Sequence, residues 1–167
     1  MDIDAAIRSG DPENYICHNS VHLDGSCNGL QHYAAIGRDT LGAEKVNLMD
    51  TERPADVYTA VLELVREEVR SENRPEFQEI AKSLLPHLVR KIIKQTVMTS
   101  VYGVTFIGAR EQIARQLKDK KIYETNGERF AASCYLATVT LKSIGDLFEH
   151  ANQIKTWFSQ CAKIVAS

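Results

Sequence analysis

The chain has 167 residues, 44% of them hydrophobic and 25% charged, which is enough apolar content for a packed core and too much for wholesale disorder. Lysine plus arginine number 20 against 22 for aspartate plus glutamate, a formal charge of -2, and this excludes a uniformly basic chromatin-type or membrane-surface protein. No apolar run is long enough to span a bilayer.

The four cysteines, Cys17, Cys27, Cys134 and Cys161, show no CxxC spacing and read as reduced thiols. The opening MDIDAAIRSGD has no apolar signal core and is too acidic for an Arg-rich transit peptide.

A short helix is expected near the start, followed by a loop at Asp11-Pro12. Residues 20–24 alternate polar and apolar, with Val21 and Leu23 on one face, and predict a short strand ended by Asp24-Gly25-Ser26. Gly29 to Leu41 predicts a helix closed by Gly42. Residues 54–71 follow a 3.6-residue period through Val57, Val61, Leu64 and Val65. Pro75 opens a further helix that Pro86 interrupts, and the next is predicted from Pro86 to Tyr102 with Gly103 as its stop. Another helix follows from Thr105 to about Lys120. Asn126-Gly127 predicts a turn, and the remainder reads as helix with Gly145 as a soft spot.

Two places carry chemistry. Asp24 closes the predicted strand and precedes Gly25, where backbone can approach a ligand closely. A carboxylate there suits a hard cation such as Mg²⁺, although Asp-Gly is also an ordinary turn pair. On the helix ending at Tyr102, the residues Arg90, Lys94, Met98 and Tyr102 fall at about 0°, 40°, 80° and 120° around the axis. Lys94 and Tyr102 are roughly 12 Å apart along it, about the reach of a nucleoside triphosphate. Arg90 and Lys94 suit phosphates, and Tyr102 suits a base or ribose. The plainer reading is a solvated basic face with Tyr102 in the core. His18, His22 and His32 lack any metal-ligand spacing, and nothing orients Cys27 and His22 as a thiol nucleophile pair.

These segments together resemble a known family. Residues 22–48, HLDGSCNGLQHYAAIGRDTLGAEKVNL, closely resemble motif A of the single-subunit, phage-type RNA polymerases. Residues 90–113, RKIIKQTVMTSVYGVTFIGAREQI, closely resemble their motif B. VMTSVYGVTFIGAR, CYLATVTL and CAKIVAS resemble the mitochondrial and plastid members most. The resemblance implies a mainly α (α+β) fold: a palm and fingers portion of a right-hand polymerase, with one short palm strand near the N-terminus and several packed helices. Residues 1–53 would be the palm segment with motif A and residues 54–167 the fingers-side segment with motif B.

The resemblance also implies roles. Asp24 would be a catalytic, metal-binding aspartate, with the Gly25 carbonyl as a further ligand, for two Mg²⁺ ions in the complete enzyme. Arg90 and Lys94 would contact the incoming triphosphate, with Lys94 counted as catalytic. Tyr102 would sit at the sugar and base, where ribose is told from deoxyribose, and Tyr58 would line the same pocket. The related DNA polymerases carry a glutamate five residues after the aspartate that blocks the ribose 2′-hydroxyl. Gly29 stands at that place here and implies RNA synthesis.

The implied partners are a DNA template, an RNA product and nucleoside triphosphates, with transcription accessory factors and no membrane. The implied location is mitochondrial, with the plastid as the alternative. No HDS-type motif C, with the family's second metal aspartate, precedes Ser167. The chain is therefore expected to be a catalytic-core fragment, inactive by itself because two-metal chemistry needs both carboxylates. The rival reading is a non-catalytic helical binding module built on a polymerase-derived scaffold.

Overall fold

The computed structural model describes residues 2–20 and 25–166. Nine α-helices follow in order among them: α1 (Asp2–Arg8), α2 (Asn28–Gly37), α3 (Thr40–Lys45), α4 (Val57–Arg70), α5 (Pro75–Leu84), α6 (Arg90–Ser100), α7 (Phe106–Asp119), α8 (Asn126–Leu147) and α9 (Glu149–Ala166). Single 3₁₀ turns occupy Pro12–Asn14 and Leu85–His87.

The 22-residue α8 is the hub. It buries Ala132, Ser133, Leu136, Ala137, Val139, Thr140 and Ile144, side chains distributed around most of its circumference. A helix covered on most sides must be surrounded, and α4, α5, α6, α7 and α9 all pack on it. The inner stripes of those neighbours are Val61 and Val65 on α4, Ile92, Ile93 and Val97 on α6, and Ala109, Ile113 and Leu117 on α7. Between α6 and α7 the contact is polar: the Thr96 hydroxyl donates to Gln112 Oε1 at 3.1 Å. At the other end α2 lies against α3 and α9.

Several sequence expectations need correction. The mainly α reading holds, but the mixed α+β class does not, because no strand occurs among the described residues. The expected strand falls largely on Val21, His22, Leu23 and Asp24, which lie outside the described residues. The described chain is helix, turn and connecting loop.

The helix expected from Gly29 to Leu41 is two helices. Arg38 adopts φ 51°, and its N–H caps the Ala34 and Ala35 carbonyls. Asp39 then starts α3 by accepting the Gly42 N–H at 2.9 Å. Gly42 is thus buried inside α3, and its α-carbon packs beside the Asp39 carboxylate and Phe148.

Asn126-Gly127 is the first turn of α8 and not a loop. Thr125 and Glu128 form a reciprocal capping box that starts the helix there. The break near the C-terminus comes at Phe148, with Gly145 inside α8. Pro86 does not open α6: it sits in the 3₁₀ turn, and Leu88 and Val89 are extended before Arg90.

Gly29 has a packing reason that the sequence does not disclose. A Cβ placed there would lie 2.4 Å from Val101 Cγ2, so α2 meets the end of α6 through a bare α-carbon. Gly29→Ala is expected to cost about 1–3 kcal/mol by overpacking. Val101→Ala in the same chain removes the obstructing methyls and recovers part of that loss. Urea unfolding of the two single variants and the double variant measures the coupling. Simple additivity would show that the two residues do not oppose each other.

Candidate active site

The outer face of α6 is cationic because its inner face is spent on the core. Ile92, Ile93, Thr96, Val97 and Ser100 are buried, which leaves Arg90, Lys91, Lys94 and Met98 facing solvent. The helix has no acidic residue in its first turn and no side-chain N-cap. The positive end of its dipole is therefore not neutralised from within the helix, and two cations one turn apart add to it.

α4 supplies the floor. Asp56 caps it, with Oδ1 accepting the Tyr58 N–H at 3.0 Å and Oδ2 accepting the Thr59 hydroxyl at 2.9 Å. This cap fixes Tyr58 in the first turn, with its ring under both cations. The Arg90 guanidinium carbon is 4.7 Å from the ring centroid and Lys94 Nζ is 5.6 Å from it. Arg90 also grips the cap: Nε donates to Asp56 Oδ2 at 2.7 Å and Nη2 to Oδ1 at 3.3 Å.

The facing wall is residues 25–27. Cys27, at φ 62°, precedes α2. Asn47, at φ 61°, ties this wall to the entry of α4: its Nδ2 donates to Ser26 Oγ at 2.8 Å and to the Ala55 carbonyl at 2.9 Å. Its Oδ1 accepts the Ala55 N–H at 2.6 Å. One amide side chain therefore holds both walls of a cleft of about 310 Å³ between Gly25–Cys27, Asp56–Tyr58 and the Arg90–Lys94 turn.

The electrostatics follow from these contacts. Burial works against the Asp56 carboxylate, but hydrogen bonds from Arg90, Thr59 and the Tyr58 N–H outweigh it and hold its carboxyl below the ordinary 3.8. Burial pushes the Cys27 thiol up, and its bonds with the Leu30 backbone and Tyr58 offset only part of this. The thiol stays protonated at neutral pH, which agrees with setting it aside as a nucleophile. Burial, followed by the neighbouring Cys27, raises Tyr58.

Of the residues singled out in the sequence, Gly25, Tyr58, Arg90 and Lys94 meet at this cleft. Asp24 lies outside the described residues. Tyr102 does not line the cleft: it sits in the turn beyond α6, 76% exposed, with Gly103 at φ 79° after it. The Gly25 carbonyl, an oxygen donor of the kind a hard cation takes, accepts the Cys27 N–H at 3.1 Å. Among the described residues no three His, Cys, Asp or Glu side chains gather as a metal site. Sequence reasoning missed Asp56 and Asn47. The Asp56 cap was readable as an Asp just before an apolar-periodic run, whereas its bond to Arg90 spans 34 residues and was not.

The whole chain, residues 1–167, matches the family model described as DNA-dependent RNA polymerase. The chain belongs to that family. It is 54% identical over 169 residues to DNA-directed RNA polymerase 2, chloroplastic/mitochondrial, of Arabidopsis thaliana, a match covering 97% of this chain and 16% of that protein. It is 51% identical to the Arabidopsis DNA-directed RNA polymerase 1, mitochondrial, over 100% of this chain and 18% of the relative. DNA-directed RNA polymerase 2A of Nicotiana tabacum is 50% identical, covering 100% of this chain and 52% of the relative. The chain thus spans about a sixth to a half of the length of these polymerases.

The Asp56–Arg90 pair makes a pH-dependent contribution to stability in this polymerase family member. A carboxyl depressed by folding stabilises above its unfolded value and loses that effect as pH falls through its folded value. The pair is exposed, so solvent screening limits it to about 0.5 kcal/mol. Asn also caps helices well, so Asp56→Asn isolates the ion pair from the cap. The variant should melt slightly below the wild type at pH 7, and the gap should close as pH falls below about 3.8. Circular dichroism melts at pH 7 and pH 3 check this; an unchanged gap would show that the pair carries no stability.

Proposed function

We propose that this chain forms the triphosphate-binding side of the catalytic centre of an organellar DNA-directed RNA polymerase. Residues 1–53 belong to its palm side and residues 54–167 to its fingers side. The observation that carries the reading is the α6 turn, where Arg90 and Lys94 stand over one aromatic ring and face a cleft whose other wall is Gly25–Cys27. The complete reaction is attack of an RNA 3′-hydroxyl on the α-phosphate of a nucleoside triphosphate on a DNA template, with release of pyrophosphate.

Each residue has a separable task. Lys94 is a point charge for the phosphates and the donor placed to protonate the leaving pyrophosphate. Arg90 gives Nε and Nη2 to Asp56, which orients the plane of the guanidinium; its remaining donors serve the phosphate oxygens. Tyr58 is the platform that keeps both cations at one height. Asp24 and the Gly25 carbonyl are the Mg²⁺ ligands this chain offers, and Mg²⁺ bound there supplies Lewis-acid stabilisation of charge on the transferring phosphoryl group. Tyr102, beyond the end of α6, reads the sugar.

The location is mitochondrial, with the plastid as the alternative; relatives bear both designations. Gly29 is packed against Val101, next to Tyr102, so the small residue admits α2 to the sugar-reading turn and does not simply leave an open space.

The test is a chimaera of the Arabidopsis polymerase 2 in which this chain replaces the matching stretch. Lys94→Ala should lower kcat/KM about 100-fold or more for ribo- and deoxyribonucleotides alike, because phosphate charge is common to both. Tyr102→Phe should lower the ribose preference more than the rate, because only a polar contact to the 2′-hydroxyl is lost. Extension that survives Lys94→Ala unchanged would remove Lys94 from the reaction, and a chimaera unable to extend at all would favour the non-catalytic module.

A further inference from the structure

A second cationic cleft, lined by none of the residues of the first, has no part in the reading above. It is a cavity of about 420 Å³ between α7 and the start of α8, and Arg110, Arg115, Lys118 and Arg129 all line it. Glu111 is the one carboxylate in its wall, and it pairs with Arg110 at 3.2 Å. Among the described residues no carboxylate lies within ion-pair distance of Arg115, Lys118 or Arg129. In a chain of net charge -2, this is a pronounced local excess of positive charge.

Arg129 is built into the wall. Its Nη1 donates to Asn126 Oδ1 at 2.8 Å and its Nη2 to the Tyr123 carbonyl at 2.9 Å, both neutral acceptors. Its Nε is buried and has no hydrogen-bond partner. A guanidinium held only by neutral groups keeps its positive charge uncompensated at the cleft wall.

The cations are strung out rather than gathered. From Arg110 to Lys118 is eight residues, roughly 12 Å along α7. That spacing suits successive phosphates of a strand better than one phosphate group. Phe130 adds a second and different feature. It is 55% exposed, Arg110 stacks on it at 4.9 Å, and it forms a wall shared with an apolar recess of about 260 Å³ whose other walls include Phe77, Ile80 and Tyr135. A basic track beside an exposed aromatic face is how proteins hold single strands, with phosphates on the cations and bases on the ring.

We infer that the α7–α8 cleft binds a single nucleic-acid strand, with its phosphates along Arg110, Arg115, Lys118 and Arg129 and a base against Phe130. This goes beyond the nucleotide seat at α6 and does not depend on it.

The experiment is fluorescence anisotropy of a fluorescein-labelled twelve-residue deoxythymidine strand titrated with the 167-residue chain across a range of salt. Arg115 and Lys118 are exposed, so Arg115→Glu with Lys118→Glu leaves the core intact, which circular dichroism verifies. That double variant should weaken binding tenfold or more and flatten the salt dependence by one to two counterions, an order-of-magnitude expectation of about one per lost phosphate contact. The charge-matched control, Arg8→Glu with Lys163→Glu on α1 and α9, should bind within about twofold of wild type, since neither residue lines the cleft. Phe130→Ala should weaken binding about fivefold or more with the salt slope unchanged.

Inorganic tripolyphosphate is the competitor that separates a strand groove from a simple phosphate seat. It should displace the strand only at large excess. No binding by the wild-type chain, equal loss in the control pair, or mole-for-mole competition by tripolyphosphate would each overturn the proposal.

Discussion

The Asp56 carboxylate ties the start of α4 to the start of α6. It closes the N-terminus of α4 through the Tyr58 N–H and the Thr59 hydroxyl, and it fixes the first residue of α6 through two nitrogens of Arg90. The Tyr58 ring is placed by the first role, and the guanidinium above it is oriented by the second. Lys94 follows one turn later at a height set by the helix. Move Asp56 and both the floor and the cations lose their common reference. Asn47 does the corresponding job on the opposite wall, holding Ser26 and Ala55 with three hydrogen bonds from one side chain.

The two cationic surfaces differ in construction, and the difference bears on what each can hold. At α6 the charges lie within one turn, above one ring and over a cleft with a backbone wall at Gly25–Cys27. That geometry concentrates charge on a compact polyanion. Along α7 the charges are spread over two turns and flanked by an aromatic face and an apolar recess. The chain is nearly neutral overall, so these surfaces arise from segregation and not from excess. The core stripes of α6 and α7 confine their basic residues to the outward faces.

Most of the helical architecture was legible because the apolar periods are strong. Val57, Val61 and Val65 on α4 mark an inner face that the structure buries. The cationic face of α6 was read directly from Arg90 and Lys94, one turn apart. Three failures have physical causes. The Asn126-Gly127 pair signals a turn in isolation, but Thr125 and Glu128 around it form a capping box that recruits both residues into α8. Gly42 resembles a helix stop, yet the stop is Arg38 in a left-handed conformation, and Gly42 is small because Asp39 and Phe148 crowd it. Tyr102 was placed on the helix, but α6 ends at Ser100 and Tyr102 sits exposed in the turn that follows. Asp56 and Asn47 were missed because their roles are tertiary bonds to residues far along the chain or around a loop.

The central claim is that the Arg90–Lys94–Tyr58 turn is the seat of the triphosphate. The most direct measurement is a heteronuclear NMR titration of the 167-residue chain with a non-hydrolysable nucleoside triphosphate, following arginine Nε–H, lysine and tyrosine ring signals together with the backbone. The account predicts saturable shifts centred on Arg90, Lys94, Tyr58 and Gly25–Cys27, with the Arg90 Nε–H signal altered as phosphate binds the remaining donors of a guanidinium still held by Asp56. Shifts confined to the α7–α8 cleft, or none at millimolar nucleotide, would contradict it.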